Sequence, residues 1–331
     1  MESVQLDTPI RSVAVLTSGG DAPGMNAGVR AVVRAGIVAG LKMYGIQDGY
    51  QGLINGDIVP LGRRDVSNIL SRGGTFLRTA RCAEMMTPHG QREAVRQLYN
   101  EGIDGLIVIG GDGTMAGAQS ISAQGYPVVG IPGTIDNDVY GTDTCIGVDT
   151  ALNTIMEAID KIRDTAASHS RAFLVQTMGR DSGFLAVESA LISGAEMALI
   201  PENPNITVEE IAQTIANSYK RGRRHCIIVV AEGFPIPMDE LTVKLDAMDL
   251  GFKARGTNLS YIQRGGTPSA FDRLIASRMG FKAIEFLTTG KFNVMTALQG
   301  RDIVPLPIPE LVGKHRGFPE EYLKISNILS R

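Results

Sequence analysis

The sequence predicts an α/β fold of doubly wound, mostly parallel sheets. One unit recurs along the chain: a short β-branched or leucine-rich run, a glycine turn, then a helical pattern. The apolar runs are continuous rather than alternating, as in strands buried on both faces. The 39 glycines collect at the turns after those runs, where ligands of such sheets bind.

Taken in order, Val13-Ala14-Val15-Leu16 leads into the turn Thr17-Ser18-Gly19-Gly20-Asp21-Ala22-Pro23-Gly24-Met25-Asn26 and a helix through Val29, Val32, Val33 and Ile37. Leu106-Ile107-Val108-Ile109 leads into Gly110-Gly111-Asp112-Gly113-Thr114 and a helix around Ala118. The run Pro127–Ile131 ends in Pro132-Gly133-Thr134-Ile135-Asp136-Asn137-Asp138, and a helix is expected over Val148–Arg163. Ala172–Val175 leads into Met178-Gly179-Arg180 and a helix over Phe184–Ile192, while Cys226–Val230 leads into Glu232-Gly233. Gln263-Arg264-Gly265-Gly266-Thr267-Pro268 reads as a return turn into a helix over Ala270–Met279. With no low-complexity linker, the domain boundary is placed near Gly147.

At 331 residues the chain is long enough for two lobes with separate cores. A net charge of -3 gives no basic footprint, so no nucleic-acid partner is expected. No apolar run approaches a membrane span, and the N-terminus carries acids without an apolar core, so neither membrane nor export signal is expected. Cys82, Cys145 and Cys226 are odd in number and lack metal-ligand spacing, which suits a reducing cytoplasm.

Chemistry concentrates in two turns. Gly110–Thr114 by itself is a tight strand-to-helix turn with an aspartate favoured by the helix dipole, a device shared by several kinase families. An Asx turn would account for Pro132–Asp138 alone, but not for two acids beside a second glycine turn. Together they supply what metal-assisted phosphoryl transfer needs: backbone that approaches phosphate, carboxylates for Mg²⁺, and one acid left as a base.

The ordered set TSGGDAPGMN, GGTFLRTAR, GGDGT, PGTIDND, MGR and IQRGG resembles the phosphofructokinase family, in its bacterial form, over Val13 to Met279. The resemblance implies two Rossmann-like lobes, an ATP-binding large domain (1–147 plus 263–313) and a sugar-phosphate-binding small domain (148–262 plus 314–331). It implies MgATP as donor, fructose 6-phosphate as acceptor, a cytoplasmic homotetramer and allosteric control. Asp136 is then the general base, with Arg81, Arg180 and Thr134 completing the catalytic set. Gly20, Tyr50, Arg81, Asp112, Gly113 and Thr114 would meet the nucleotide, and Asp112 and Asp138 the Mg²⁺. Thr134, Asp136, Arg171, Met178, Gly179, Arg180, Glu232, Arg255, Tyr261 and Arg264 would meet the sugar phosphate, Arg171 and Arg255 from a neighbouring subunit. An effector site would use Arg30, Arg34, Arg63, Arg163, Glu196, Arg221 and Arg223, with Glu196 on the effector's metal and ADP or phosphoenolpyruvate as ligand.

In the family's pyrophosphate-dependent branch an aspartate and a lysine stand where this chain has Gly113 and Gly133, filling the space of the nucleotide α-phosphate; the glycines imply ATP. Tyr261 stands where many members have a histidine. A phenol donates one hydrogen bond and carries no positive charge. Weaker sugar-phosphate binding or altered preference follows, unless Arg171, Arg255 and Arg264 suffice. Other readings are a pyrophosphate-dependent or different sugar-phosphate kinase, a dinucleotide oxidoreductase and a non-catalytic sensor. The first turn lacks G-x-G-x-x-G, and the intact acids argue against a sensor.

Overall fold

A computed structural model describes residues 9–330. The N-terminal stretch read for an export signal, and the outermost ends of the expected domain ranges, lie outside the described residues. The chain divides into two compact units. The first comprises Met1–Thr134, Asp138–Asp149 and Arg264–Arg316, and the second Ile135–Asn137, Thr150–Gln263 and Gly317–Arg331.

The first unit is built on β1 (Ser12–Thr17), α1 (Met25–Val38), β2 (Lys42–Ile46), α2 (Gly49–Asn55), β3 (Ile58–Pro60), α3 (Pro88–Asn100), β4 (Gly105–Gly110), α4 (Asp112–Ser122) and β5 (Val128–Pro132). The second follows with α5 (Val148–His169), β6 (Arg171–Thr177), α6 (Phe184–Ser193), β7 (Met197–Leu199), α7 (Val208–Lys220), β8 (His225–Ala231), α8 (Met238–Asp246) and β9 (Lys253–Asn258). The chain then adds α9 (Ala270–Thr288), β10 (Val294–Gln299) and β11 (Asp302–Pro307) to the first unit and ends in α10 (Glu320–Leu329).

The first sheet has the order β11-β10-β5-β4-β1-β2-β3, parallel except for the edge strands β3 and β11. Strands β1 and β4 are uninterruptedly buried, as their unbroken apolar runs require. From β1 the chain proceeds outward to β2 and later returns to β4 on the other side, so the β1/β4 boundary is a topological switch point. The second sheet, β7-β8-β6-β9, is wholly parallel. Its core joins Leu174, Ile228 and Val230 to Ile211, Ile215, Leu241 and Leu245 of the covering helices.

Two helices outrun their expected ends. Helix α5 continues past Arg163 to His169 because Ala166 extends its buried face. Helix α9 continues through Gly280, which is a packing residue rather than a stop. A Cβ there would stand 2.7 Å from the Ala31 Cβ and 2.8 Å from the Gly28 carbonyl of α1, so glycine lets the two helices approach. No helix among the described residues is long and apolar enough to cross a membrane.

Candidate active site

Three turns meet at the carboxyl edge of the first sheet. Ser18 N–H donates to the Ile109 carbonyl at 3.0 Å and Gly133 N–H to the Gly110 carbonyl at 2.9 Å, which ties the ends of β1, β4 and β5 together. The loop carrying Arg81 is stapled to the same edge. Thr17 Oγ1 donates to the Arg78 carbonyl and Thr79 Oγ1 to the Gly19 carbonyl, both at 2.8 Å. Buried Asn26 donates to the Arg72 and Gly73 carbonyls at 3.0 and 3.2 Å and accepts from Phe76 N–H at 2.6 Å.

The nucleotide candidates occupy different environments. A Cβ at Gly113 would meet nothing within 4 Å, so open space lies before the first turn of α4. Thr114 and Tyr50 are buried against each other, with the Tyr50 hydroxyl donating to the Thr114 carbonyl at 2.7 Å. Burial, with a smaller push from Cys82, drives the Tyr50 hydroxyl far above its ordinary range and keeps it a donor. Gly20 is brought to Arg264, whose guanidinium a Cβ at 20 would strike. Arg264 in turn lies 4.0 Å from Asp21. Gly133 sits in tighter surroundings than Gly113. Its Cβ would stand 3.1 Å from Met25 Cε and 3.3 Å from Ile109 Cγ2, so a side chain there starts into packing, not open space.

Asp112 opens helix α4 beside Gly113, and its Oδ2 lies 3.4 Å from Nδ1 of His315. His315 pairs across an antiparallel bridge with Val139, the neighbour of Asp138. Burial pushes the Cys145 thiol well up, and Asp138 and, less strongly, Asp112 push it the same way against Arg316 and the Val139 backbone. Among the described residues no group of three or more His, Cys, Asp or Glu side chains is placed to hold a metal. Thr134 stands at Gly111, where a Cβ would lie 3.4 Å from its own.

In the second unit, Asp136 is buried and Arg180 Nε lies 3.6 Å from its Oδ2. The turn carrying Arg180 is held by Glu232, whose Oε1 accepts from Gly179 N–H at 3.2 Å and Arg180 N–H at 2.7 Å. Met178 N–H donates to the buried Gln263 Oε1 at 3.2 Å, and Gln263 Nε2 donates to the Ser260 carbonyl at 2.9 Å. Arg171 and Arg255 lie on neighbouring strands two residues apart in register. Arg255 is engaged within its own chain, 3.4 Å from Asp246 and donating to the Ala254 carbonyl at 2.6 Å. Tyr261 is three-quarters exposed.

The effector candidates divide between the units. Arg30 and Arg34 share α1, and burial, then Arg34, lowers the Arg30 pKa; Arg63 is exposed after β3. In the second unit Arg163 donates to the Ser193 carbonyl. Glu196 accepts from Arg223 Nη1 at 2.6 Å and Ile227 N–H at 2.7 Å, so both its oxygens are engaged by the protein. A cavity of about 370 Å³ lies beside it, lined by Met197, Thr214, Asn217, Ser218, Arg221, Asn327 and Ser330.

Backbone strain marks the same positions. Eight non-glycine residues among the described ones have positive φ. Asp48, Arg78, Asn137, Ser170, Arg180 and Ser260 fall within three residues of a candidate, leaving only Asp249 and Asn293 elsewhere, as expected where local strain is kept for function. Asn26 and Gln263 were not among the candidates, although each lies in a quoted motif. A large polar amide inside an otherwise glycine-rich turn is the signal that points to them.

A family model described as phosphofructokinase matches residues 12–287. The chain belongs to the phosphofructokinase family. Among its phosphofructokinase relatives, one from Thermotoga neapolitana is 49% identical and one from Shouchella clausii 48% identical, each over 97% of this chain and 100% of the relative. Both are named ATP-dependent 6-phosphofructokinase. The crystal structure of Pichia pastoris phosphofructokinase in the T-state aligns with a TM-score of 0.86 at 37% identity, over 94% of this chain and 36% of that one. A pyrophosphate-dependent phosphofructokinase from Marinobacter aquaeolei aligns with a TM-score of 0.83 at 21% identity, over 96% of this chain and 88% of that one, a likeness of fold.

Proposed function

We propose that the chain catalyses ATP-dependent phosphorylation of fructose 6-phosphate at its 1-hydroxyl, giving fructose 1,6-bisphosphate and ADP in glycolysis. The observation that carries this reading is buried Asp136 beside Arg180, on the turn that also carries Asp138. Relatives at 48% and 49% identity bear the name of this activity, which supports it.

Asp136 takes the proton of the attacking hydroxyl, and burial shields that step from water. Arg180 and Arg81 offset charge that develops on the transferred phosphoryl oxygens, with Thr134 completing the catalytic set. Gly20, Gly113 and the backbone of the three tied turns approach the nucleotide phosphates, while buried Tyr50 and Thr114 hold that edge in place. The donor set fits Mg²⁺. Asp112 and Asp138 would hold it, since carboxylate oxygens are the hard donors this ion takes alongside substrate phosphates. Bound there, Mg²⁺ would supply charge neutralisation on the phosphates. Arg171, Met178, Gly179, Glu232, Arg255, Tyr261 and Arg264 bind the sugar phosphate. Glu232 also braces the Arg180 turn from below.

Open space at Gly113 supports ATP as the donor, since an acid there would face the phosphates. A cytoplasmic homotetramer, with Arg171 and Arg255 reaching a neighbouring copy, belongs to the proposal. So does an effector site that includes the cavity beside Glu196, its arginines binding an anionic ligand. The exposed Tyr261 favours one second reading, a relaxed acceptor preference. Initial rates with MgATP and fructose 6-phosphate, set beside other sugar 6-phosphates, test both readings. Fructose 6-phosphate should be the best acceptor, and Tyr261→His should lower its KM. No turnover with any sugar phosphate would sink the proposal.

A further inference from the structure

We infer that His315 is a positioning residue for Asp112, orienting the carboxylate that meets the metal. The inference rests on the reading that Asp112 and Asp138 hold Mg²⁺ with the nucleotide. His315 Nδ1 lies 3.4 Å from Asp112 Oδ2, although the two residues are far apart in sequence.

Backbone contacts set that position. His315 forms an antiparallel bridge with Val139. The next residue, Arg316, donates its N–H to the Asp138 carbonyl at 3.0 Å and its guanidinium to the Asp143 carbonyl at 2.5 Å. The preceding residue, Lys314, carries its ammonium 5.1 Å from the centre of the Tyr140 ring. Residues 314–316 thus form a clip over 138–143. The clip touches both metal-holding residues, Asp112 through an imidazole and Asp138 through its backbone.

The chemistry suits the place. An imidazole ring N–H within reach of a carboxylate oxygen can turn to it as a donor. A donor on one carboxylate oxygen fixes the rotation of the group and leaves lone pairs for a metal, the usual work of partners just outside a metal's own ligands. The His315 side chain is 80% exposed, so packing gives little reason for its presence and its replacement leaves the core intact.

Calorimetric titration of the full chain with ATP, without sugar phosphate, separates this role from a general one. Kd is measured with Mg²⁺ and again in EDTA, and the ratio reports what the metal adds to binding. His315→Ala should shrink that ratio about three- to tenfold, below the usual cost of losing such a partner because this one is exposed, while metal-free affinity stays unchanged. His315→Asn, whose amide nitrogen stands in for Nδ1, should restore it. An unchanged or larger ratio in His315→Ala, an equal loss with and without metal, or no rescue by asparagine would each overturn the inference. Asp112→Asn is the control. If the native ratio does not exceed that of Asp112→Asn, the metal reading itself fails and takes the inference with it.

Discussion

The second unit holds two buried carboxylates next to arginines, and the two arginines differ. Glu196 is closed off: Arg223 at 2.6 Å takes one oxygen and the Ile227 N–H at 2.7 Å takes the other. Asp136 faces Arg180 at 3.6 Å, and that arginine is 64% exposed on a residue with φ of 52°. A short, doubly satisfied carboxylate is a structural anchor. A buried carboxylate beside an exposed, strained cation is placed for work on something that arrives from solvent. Burial alone would have ranked the two residues together. The state of the partner separates them.

The comparison breaks most readily at Asp136. Asp136→Asn should lower kcat by roughly 10²–10⁴, with KM for fructose 6-phosphate changed far less, as steady-state kinetics would report. On the donor side, Gly113→Asp enters open space and should fold normally. It should nevertheless cost ATP turnover on the order of 10², since an acid against phosphate is a like-charge juxtaposition of several kcal/mol. Matching ATP rates in native and variant chains would remove Gly113 from the donor site.

Glu196→Ala probes the anchor. It leaves the Ile227 N–H buried without its acceptor and frees the half-exposed Arg223, so urea denaturation should show a loss of about 2 kcal/mol. An unchanged midpoint would erase the contrast between the two carboxylates.

Nearby, His225 should give this region a pH signature. Burial, with Arg163 and Arg223, holds its pKa below the ordinary 6.5 against an opposing pull from Glu196. The unfolded chain then binds the proton more readily, so the contribution to stability is present above pH 6.5 and is lost as pH falls below it. His225→Asn should flatten the slope of unfolding free energy below that pH. The smallest effect is expected at Ser260, where φ is 45°. Ser260→Gly should stabilise the chain by about 1 kcal/mol or less, because glycine adopts this conformation without steric cost.

Much of the first unit was legible because its chemistry is written locally. Apolar runs ending in Gly110–Thr114 and Pro132–Asp138 state strand, turn and acid within a few residues, and they stand together at the end of β4 and β5. Residues whose partners lie far along the chain were not legible. Asn26 meets Arg72 across 46 residues, and Met178 meets Gln263 across 85. Nothing in the local pattern around His315 announces Asp112. Hairpin β10–β11 lacks the glycine-turn-helix signature of the parallel strands, and the run of α9 beyond Met279 is not legible until the approach of Gly280 to α1 is seen. The engagement of both Glu196 oxygens also depends on the fold, since Ile227 and Arg223 reach it only through β8 and the turn before it.

The central claim is that this chain transfers the γ-phosphoryl group of ATP to fructose 6-phosphate. It is tested most directly by initial rates of the purified native chain with fructose 6-phosphate and Mg²⁺, comparing ATP with pyrophosphate as donor. Turnover with ATP, giving ADP and fructose 1,6-bisphosphate in equal amounts, and none with pyrophosphate, is the expected result. Turnover with pyrophosphate, or silence with ATP, would contradict it.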